Sequence, residues 1–195
     1  MNDNAPARCV LDFWFGEPGS PGYGQARTEW FRKNDWFDAE IARRFGPMIE
    51  QALGGELREW ENDAWSALAR ILLLDQFPRN VFRNIPRAFA GDTLALDAAR
   101  AMVATGQDEV LLSVQRGFAY MPYEHSEHLR DQDESVRLYT KLATVAPETS
   151  DMLDYAHRHR AVIARFGRFA HRNAVLGRAS SVEELAFLQA PGSRF

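Results

Sequence analysis

Apolar residues recur along this chain every three or four positions, which is the spacing of amphipathic α-helices packed against a core. The pattern predicts a first helix over residues 7–15. A second is capped by Asn34 or Asp35. Gly46-Pro47 should kink or break it, because proline lacks the donor that an inner turn requires, and its apolar pattern resumes up to Leu53. A third is capped by Asn62 or Asp63 and should end at Phe77, since a residue before proline is displaced from helical angles.

Five more helical segments follow, and no stretch of useful length alternates polar and apolar residues as a half-buried strand does. Their expected starts are Asp92 or Thr93, Asp108, Ser126, Thr149 or Ser150, and Ser181. Pro122 should break the aromatic run 118–123, and Ser181 with Glu184 has the spacing of a capping box. The chain is therefore predicted to be all-α, with about eight helices in a single domain over residues 1–195.

The composition fits one globular core, with 195 residues of which 46% are hydrophobic and 12% aromatic. Residues expected to fill that core include Cys9, Trp30, Phe31, Trp36 and Phe37. A single thiol forms no internal disulfide, and the N-terminus lacks the charged start and apolar run of a signal peptide. With no apolar run of ~18 residues either, a cytoplasmic protein with no membrane partner is expected.

Positive charge is carried almost entirely by arginine, because only Lys33 and Lys141 are lysines. Residues 155–178 contain six arginines and no acid. Guanidinium groups are suited to bidentate pairing with carboxylate or phosphate. The net charge of -4 and the near absence of lysine argue against a nucleic-acid partner.

The segment ILLLDQFPRN, residues 71–80, changes from apolar to polar near the end of a predicted helix. Asp75 falls on the inward face of that helix. A buried carboxylate has to be paired with a cation, because its desolvation costs several kcal/mol. The arginines between Arg168 and Arg178 are the expected partners.

Three polar segments stand out, at residues 75–80, 124–132 and 166–173. If they meet at one groove, their arginine, histidine and amide side chains would bind an anionic small molecule or a peptide carboxylate. The candidate ligand-binding residues are Asp75, Gln76, Arg79, Asn80, Arg83, Arg168, Arg172 and Asn173.

Three other interpretations stay open. Ion pairs among these segments would only hold the fold together. An acid–base hydrolase or transferase would use His125 or His171, with Glu127 as the orienting group. A protein-interaction module would present a concave face with an exposed apolar patch. No metal site or cofactor is predicted, since the spacing of Glu124, His125 and His128 fixes no further ligand.

Five motifs follow one another in order along the chain. They are VLDFWFG (10–16), LLLDQFPRNVFR (72–83), RAFAGDTLAL (87–96), YMPYEHSEHLRDQ (120–132) and RFGRFAHRNAVLGR (165–178). Together they resemble the bacterial family catalogued as domain of unknown function 924, over nearly the whole chain. The resemblance implies a bacterial, all-helical, tetratricopeptide-like array and no particular reaction.

The polar residues typical of that family match this sequence in the second, fourth and fifth motifs. The matching positions are Asp75, Gln76, Arg79, Asn80, His125, Ser126, Glu127, Gln132, Arg168, His171, Arg172, Asn173 and Arg178. Two positions depart from the family pattern. Ala170 stands where the family has proline, and His128 stands where it has an acid, which weakens any metal site built on His128.

Overall fold

The computed structural model describes residues 4–193, which form eight α-helices joined by short 3₁₀ turns, with no strand in that range. The helices are α1 Ala5–Phe15, α2 Asp35–Leu53, α3 Ala64–Val81, α4 Asp92–Thr105, α5 Ser113–Glu124, α6 Leu129–Val145, α7 Ser150–Phe166 and α8 Val182–Leu188. The all-α prediction is confirmed. None of the described helices combines the length and apolarity needed to cross a membrane.

Helix α3 lies at the centre of the fold. It is buried on almost every side, and Leu72, Leu73 and Leu74 have no exposed surface. Helices α1, α2, α4 and α5 all pack against it. The polar side chains that α3 does carry, including Asp75 and Gln76, are therefore buried and have to find partners within the protein.

Each helix from α2 to α6 packs against the next helix along the chain, and α1, α3 and α5 also pack against the helix after next, as in a helical array. The tetratricopeptide-like description is only a loose one. The segment after α7 folds back onto the start of α4, where Arg172 donates to Asp92 across 80 residues of sequence. This return of the chain brings the polar segments together.

Prolines lie inside three of the helices, at Pro47, Pro78 and Pro122. The predictions that Pro78 and Pro122 end or break a helix are wrong, and Pro47 does not break α2. A proline inside a helix costs about 3 kcal/mol, and the burial of the flanking turns offsets that cost here. Because α3 continues past Phe77, Arg79 stands one helical turn after Asp75 and on the same face.

Two of the four aromatic residues expected in the core lie at the surface. Trp30 and Phe37 are buried, whereas Phe31 is 64% and Trp36 is 69% exposed. Adjacent residues in a helical turn point in different directions, so one of each pair faces solvent. Cys9 is exposed as well, on the outer side of α1, so its assignment to the core is wrong.

Candidate functional site

Asp75 is the centre of a buried polar network, and its side chain has no exposed surface. His125 Nδ1 lies 2.7 Å from Asp75 Oδ1, and Arg79 Nη1 lies 3.1 Å from the same oxygen. Gln76 Nε2 donates to Asp75 Oδ2 at 2.5 Å. The prediction that Asp75 pairs with an arginine of residues 168–178 is therefore wrong. Its cation lies on α3 itself, because the helix continues past Pro78.

Asp92, the first residue of α4, connects two arginines. Arg79 Nη2 lies 2.9 Å from Asp92 Oδ1, and Arg172 Nη1 donates to Asp92 Oδ2 at 3.0 Å. Asp75, Arg79, Asp92 and Arg172 thus form a chain of alternating charges whose sum is zero. The sequence marks Asp92 only as a helix start, and its place between the arginines depends on how α4 approaches α3.

Gly91 permits that approach. A Cβ atom at Gly91 would lie 2.1 Å from the carbonyl oxygen of Leu74, on the helical turn that carries Asp75. Pro78 has no N–H to donate to this carbonyl, so the helix leaves the oxygen without its usual i→i−4 hydrogen bond. The backbone of Gly91 packs against it instead, and the next residue, Asp92, reaches Arg79.

Two aromatic rings pack against the Arg172 guanidinium. Its Cζ atom lies 4.7 Å from the ring centroids of both Phe89 and Phe169, and the side chain is only 7% exposed. Arg79 shares the Phe89 ring, at 5.6 Å. Burial lowers the pKa of Arg172 to about 10, and the nearby charge of Arg79 acts in the same direction. The guanidinium is still charged near neutral pH and is held in one orientation.

Three buried atoms of this network have no aligned hydrogen-bond partner among the described residues. They are Arg79 Nη2, Asp92 Oδ1 and Arg172 Nε. The first two are within ion-pair distance of each other, but the contact is misaligned for a hydrogen bond. A buried polar atom without a hydrogen bond costs about 1–3 kcal/mol, so a polar ligand would gain most at this point.

Histidines line the same region. The rings of His125 and His159 have centroids 6.3 Å apart, and the Phe169 ring lies 5.5 Å from both His159 and His171. Burial, reinforced by the charge of Arg172, lowers the pKa of His171 to about 3. Burial and the charge of Arg79 also lower the pKa of His125, against the opposing effect of Asp75. Both rings are therefore neutral at pH 7.

His159 is a buried histidine with partners, as expected of a core histidine. Its Nδ1 lies 2.9 Å from Glu124 Oε1 and 2.9 Å from the carbonyl oxygen of Tyr155. Among the described residues, no group of three or more His, Cys, Asp or Glu side chains lies together in a way that could hold a metal ion.

The loop between α5 and α6 holds His125 in place. Gln132 Nε2 donates to the carbonyl oxygens of Glu124 and Ser126, on either side of His125, at 2.6 and 2.7 Å. Ser126 does not start α6 as predicted, since that helix begins at Leu129. Its hydroxyl instead donates to Asp131 Oδ2 at 2.7 Å, which closes the turn after His125.

Glu127 contacts an arginine and a backbone amide. It accepts from Arg178 at 2.6 and 2.9 Å and from the Phe169 backbone N–H at 2.8 Å. Burial acts to raise the pKa of Glu127, but these hydrogen bonds outweigh it and lower the pKa. The carboxylate that contacts His125 Nδ1 belongs to Asp75 and not to Glu127. Glu127 instead binds the loop that contains Phe169.

The predicted ligand-binding residues divide into two sets. Those that converge are Asp75, Gln76, Arg79 and Arg172, and those bound elsewhere are Asn80, Arg83, Arg168 and Asn173. Asn80 and Arg83 both donate to Asp38 of α2, and Arg168 forms a bidentate pair with Glu184 of α8. Asn173 accepts from Arg178. These contacts join helices and loops, which agrees with the interpretation that ion pairs hold the fold.

Comparisons with known proteins cover most of the chain. A family model described as bacterial protein of unknown function (DUF924) matches residues 10–192. The solved structure of the protein of unknown function ATU0120 from Agrobacterium tumefaciens is similar, with 34% sequence identity and a TM-score of 0.83. The alignment covers 95% of this chain and 97% of that one. A search among curated proteins finds no match.

Proposed function

This chain belongs to the bacterial family of unknown function DUF924, and we propose that it binds an anionic small molecule or a peptide carboxylate between Arg79 and Arg172. The observation that carries the proposal is the buried guanidinium of Arg172, whose Nε has no hydrogen-bond partner among the described residues. A guanidinium presents its donors in a rigid fork that matches a carboxylate or phosphate.

The environment of Arg172 supports this proposal. Phe89 and Phe169 both pack against the guanidinium, so little conformational entropy remains to be lost when an anion binds. The side chains of Arg79 and Asp92 are 20% and 21% exposed, so this edge of the network is partly open to solvent. Because the network sums to zero charge, an anion would be recognised through aligned hydrogen bonds rather than through an excess of positive charge.

Replacing Arg172 with lysine tests the proposal, because lysine keeps the positive charge and loses the Nε donor and the planar fork. Calorimetric titration with acetate and inorganic phosphate should show affinity at least about tenfold weaker for Arg172→Lys than for wild type. Arg168→Lys is the matched control, since Arg168 pairs with Glu184 away from the network. It should change the affinity by less than about twofold. Equal losses in the two variants, or equal binding of uncharged acetamide, contradict the proposal.

A second candidate function is acid–base catalysis at His125. Its Nδ1 is fixed by a fully buried carboxylate, which leaves Nε2 as the nitrogen that would exchange a proton. The lowered pKa of His125 keeps the ring neutral, so Nε2 can accept a proton from water or from a substrate hydroxyl. The orienting group in this version is Asp75.

Hydrolysis of p-nitrophenyl acetate, an activated ester, tests this second candidate. The His125→Gln variant keeps a donor for Asp75 but has no titratable nitrogen. If His125 acts as a general base, the variant should be slower by about a hundredfold, with circular dichroism confirming the fold. Rates that agree within about twofold exclude His125 as the base for this substrate.

A further inference from the structure

We propose that an open cleft beside the first turn of α6 binds a small, polar phosphate monoester, with Arg130 and Tyr123 as the residues that recognise the phosphate. The cleft has a volume of about 760 Å³, which is enough for a complete small molecule. It is lined by Tyr123 of α5 and by arginines and acids of α4 and α6. None of the lining residues belongs to the network of Asp75 and Arg172, so the inference does not depend on the proposed function.

Tyr123 is a buried residue whose hydroxyl group is available to the cleft. The residue lines the cleft and is only 4% exposed. Its backbone carbonyl accepts from Gln132, whereas its hydroxyl forms no hydrogen bond with residues 4–193. Burial raises the pKa of Tyr123 to about 12, and the charge of Glu134 acts in the same direction. The hydroxyl therefore keeps its proton near neutral pH and can donate to an oxygen of a ligand.

The acids of the cleft are already paired, and Arg130 is the cation that remains. The three pairs have N···O distances of 2.6 Å and are Asp131 with Arg100, Asp133 with Arg160, and Glu134 with Arg137. Asp97 also approaches Arg100, at 3.4 Å, but its side chain is 64% exposed and is screened by solvent. Arg130 is exposed and forms no ion pair with residues 4–193, so its guanidinium offers all its donors to a ligand.

A phosphate monoester matches these donors better than a carboxylate does. It carries a charge of about −1.5 to −2 at pH 7 and three terminal oxygens that accept hydrogen bonds. Two oxygens suit the planar fork of Arg130, and the third suits the hydroxyl of Tyr123. The cleft lies at the start of a 17-residue helix, where the helix dipole favours an anion and no side chain of His128 caps the amides.

The remainder of the cleft favours a polar body on the ester. A phosphate group alone fills only a small part of the volume of about 760 Å³. The paired side chains around it present donors and acceptors together, and they are Arg100, Asp131, Glu134 and Arg137. Because a hydroxyl group both donates and accepts, the hydroxyls of a sugar phosphate can bond to both kinds of group.

Calorimetric titration with D-ribose 5-phosphate, D-ribose and inorganic phosphate tests the inference. Ribose 5-phosphate should bind the wild-type protein at least about tenfold more tightly than the other two, since ribose lacks the phosphate and inorganic phosphate lacks the polar body. Arg130→Gln should weaken its binding at least about tenfold. Tyr123→Phe removes only the hydroxyl, so it should weaken binding about fivefold and leave the midpoint of urea unfolding unchanged.

A matched control replaces an arginine outside the cleft. Arg158 is exposed on α7 and packs over the Tyr155 ring, so Arg158→Gln should change the affinity for ribose 5-phosphate by less than about twofold. Arg172→Lys should also leave it within about twofold of wild type, because the two sites share no residue.

The possible results separate this cleft from the site at Arg172. Equal affinities for ribose 5-phosphate in wild type and Arg130→Gln overturn the inference, as does a wild-type protein that binds ribose 5-phosphate no more tightly than ribose. An equal loss in Arg130→Gln and Arg158→Gln indicates attraction by surface charge alone and overturns it too. A tenfold loss in Arg172→Lys, with none in Arg130→Gln, assigns the phosphate to the Arg172 site and overturns the cleft while the proposed function stands.

Discussion

Replacing Asp75 with alanine is expected to lower the free energy of unfolding by about 3–5 kcal/mol, the usual cost of removing one member of a buried ion pair. Asp75 has no exposed surface and contacts Arg79, His125 and Gln76. Without the carboxylate, the guanidinium of Arg79 keeps Asp92 as its only ion-pair partner among residues 4–193. The lost atoms also leave a cavity in the packed core around α3.

Two further variants separate the contribution of the charge from that of the packing, with urea unfolding monitored by circular dichroism. Asp75→Asn keeps the shape and an acceptor, so it should cost about half as much as Asp75→Ala. Glu134→Ala removes an exposed partner of Arg137 and should cost less than about 1 kcal/mol. A cost for Asp75→Ala no greater than for Glu134→Ala would falsify the central role of Asp75.

The Asp75 pair also makes stability depend on pH. Burial alone would raise the pKa of Asp75, but Arg79 and His125 outweigh it and hold the pKa well below its usual range. A carboxyl with a depressed pKa stabilises the fold above its unfolded pKa of about 4, and this contribution is lost as the pH falls below that value. The difference in unfolding free energy between wild type and Asp75→Asn should therefore shrink by about 1 kcal/mol between pH 6 and pH 3.

The sequence predicts the fold class and the unusual character of Asp75, because both depend on local spacing. Apolar periodicity indicates the helices, and the Ser181–Glu184 capping box is present as predicted. Asp75 interrupts an apolar stripe, and a polar residue there has to be buried with a partner. These are statements about neighbours along one helix.

Local sequence rules do not identify the partner of Asp75. If α3 ended before Pro78, Arg79 would lie in a loop. Packing on all sides of α3 keeps the helix intact instead, so Arg79 lies four residues after Asp75 and pairs with it. The roles of Asp92 and Phe89 depend on the close approach of α4 to α3. No propensity or spacing encodes such a tertiary contact, although the Ala-Gly-Asp run before α4 is compatible with it.

The converging residues combine two interpretations that the sequence leaves open. Half of the predicted ligand-binding residues form contacts that join segments of the fold, as with Arg83 on Asp38 and Arg168 on Glu184. Around Asp92, in contrast, the contact with Arg79 is misaligned for a hydrogen bond, and Arg172 Nε has no partner among the described residues. This unused hydrogen-bonding capacity beside two aromatic rings favours Arg172 as the proposed site.

Gly91→Ala is expected to destabilise the protein by about 3 kcal/mol or more, because the new methyl group overlaps backbone that cannot rotate away. The added Cβ would lie 2.1 Å from the Leu74 carbonyl oxygen, so α4 has to move away from α3 and take Asp92 with it. Anion affinity should fall along with stability. Gly46→Ala is the matched control. Gly46 lies inside α2, and a Cβ there meets no atom within 4 Å apart from its chain neighbours and the backbone of its own helix.

The two substitutions are chemically identical and should differ in size. Gly46→Ala should change the free energy of unfolding by less than about 1 kcal/mol, because the preference of alanine for a helix interior is opposed by the contact of its Cβ with the Pro47 ring. Thermal and urea unfolding of both variants, with acetate titration of any that fold, measure the effect. A Gly91→Ala protein as stable as wild type would mean that α4 can shift without cost, and Asp92 would then not be held in place by the backbone contact at Leu74.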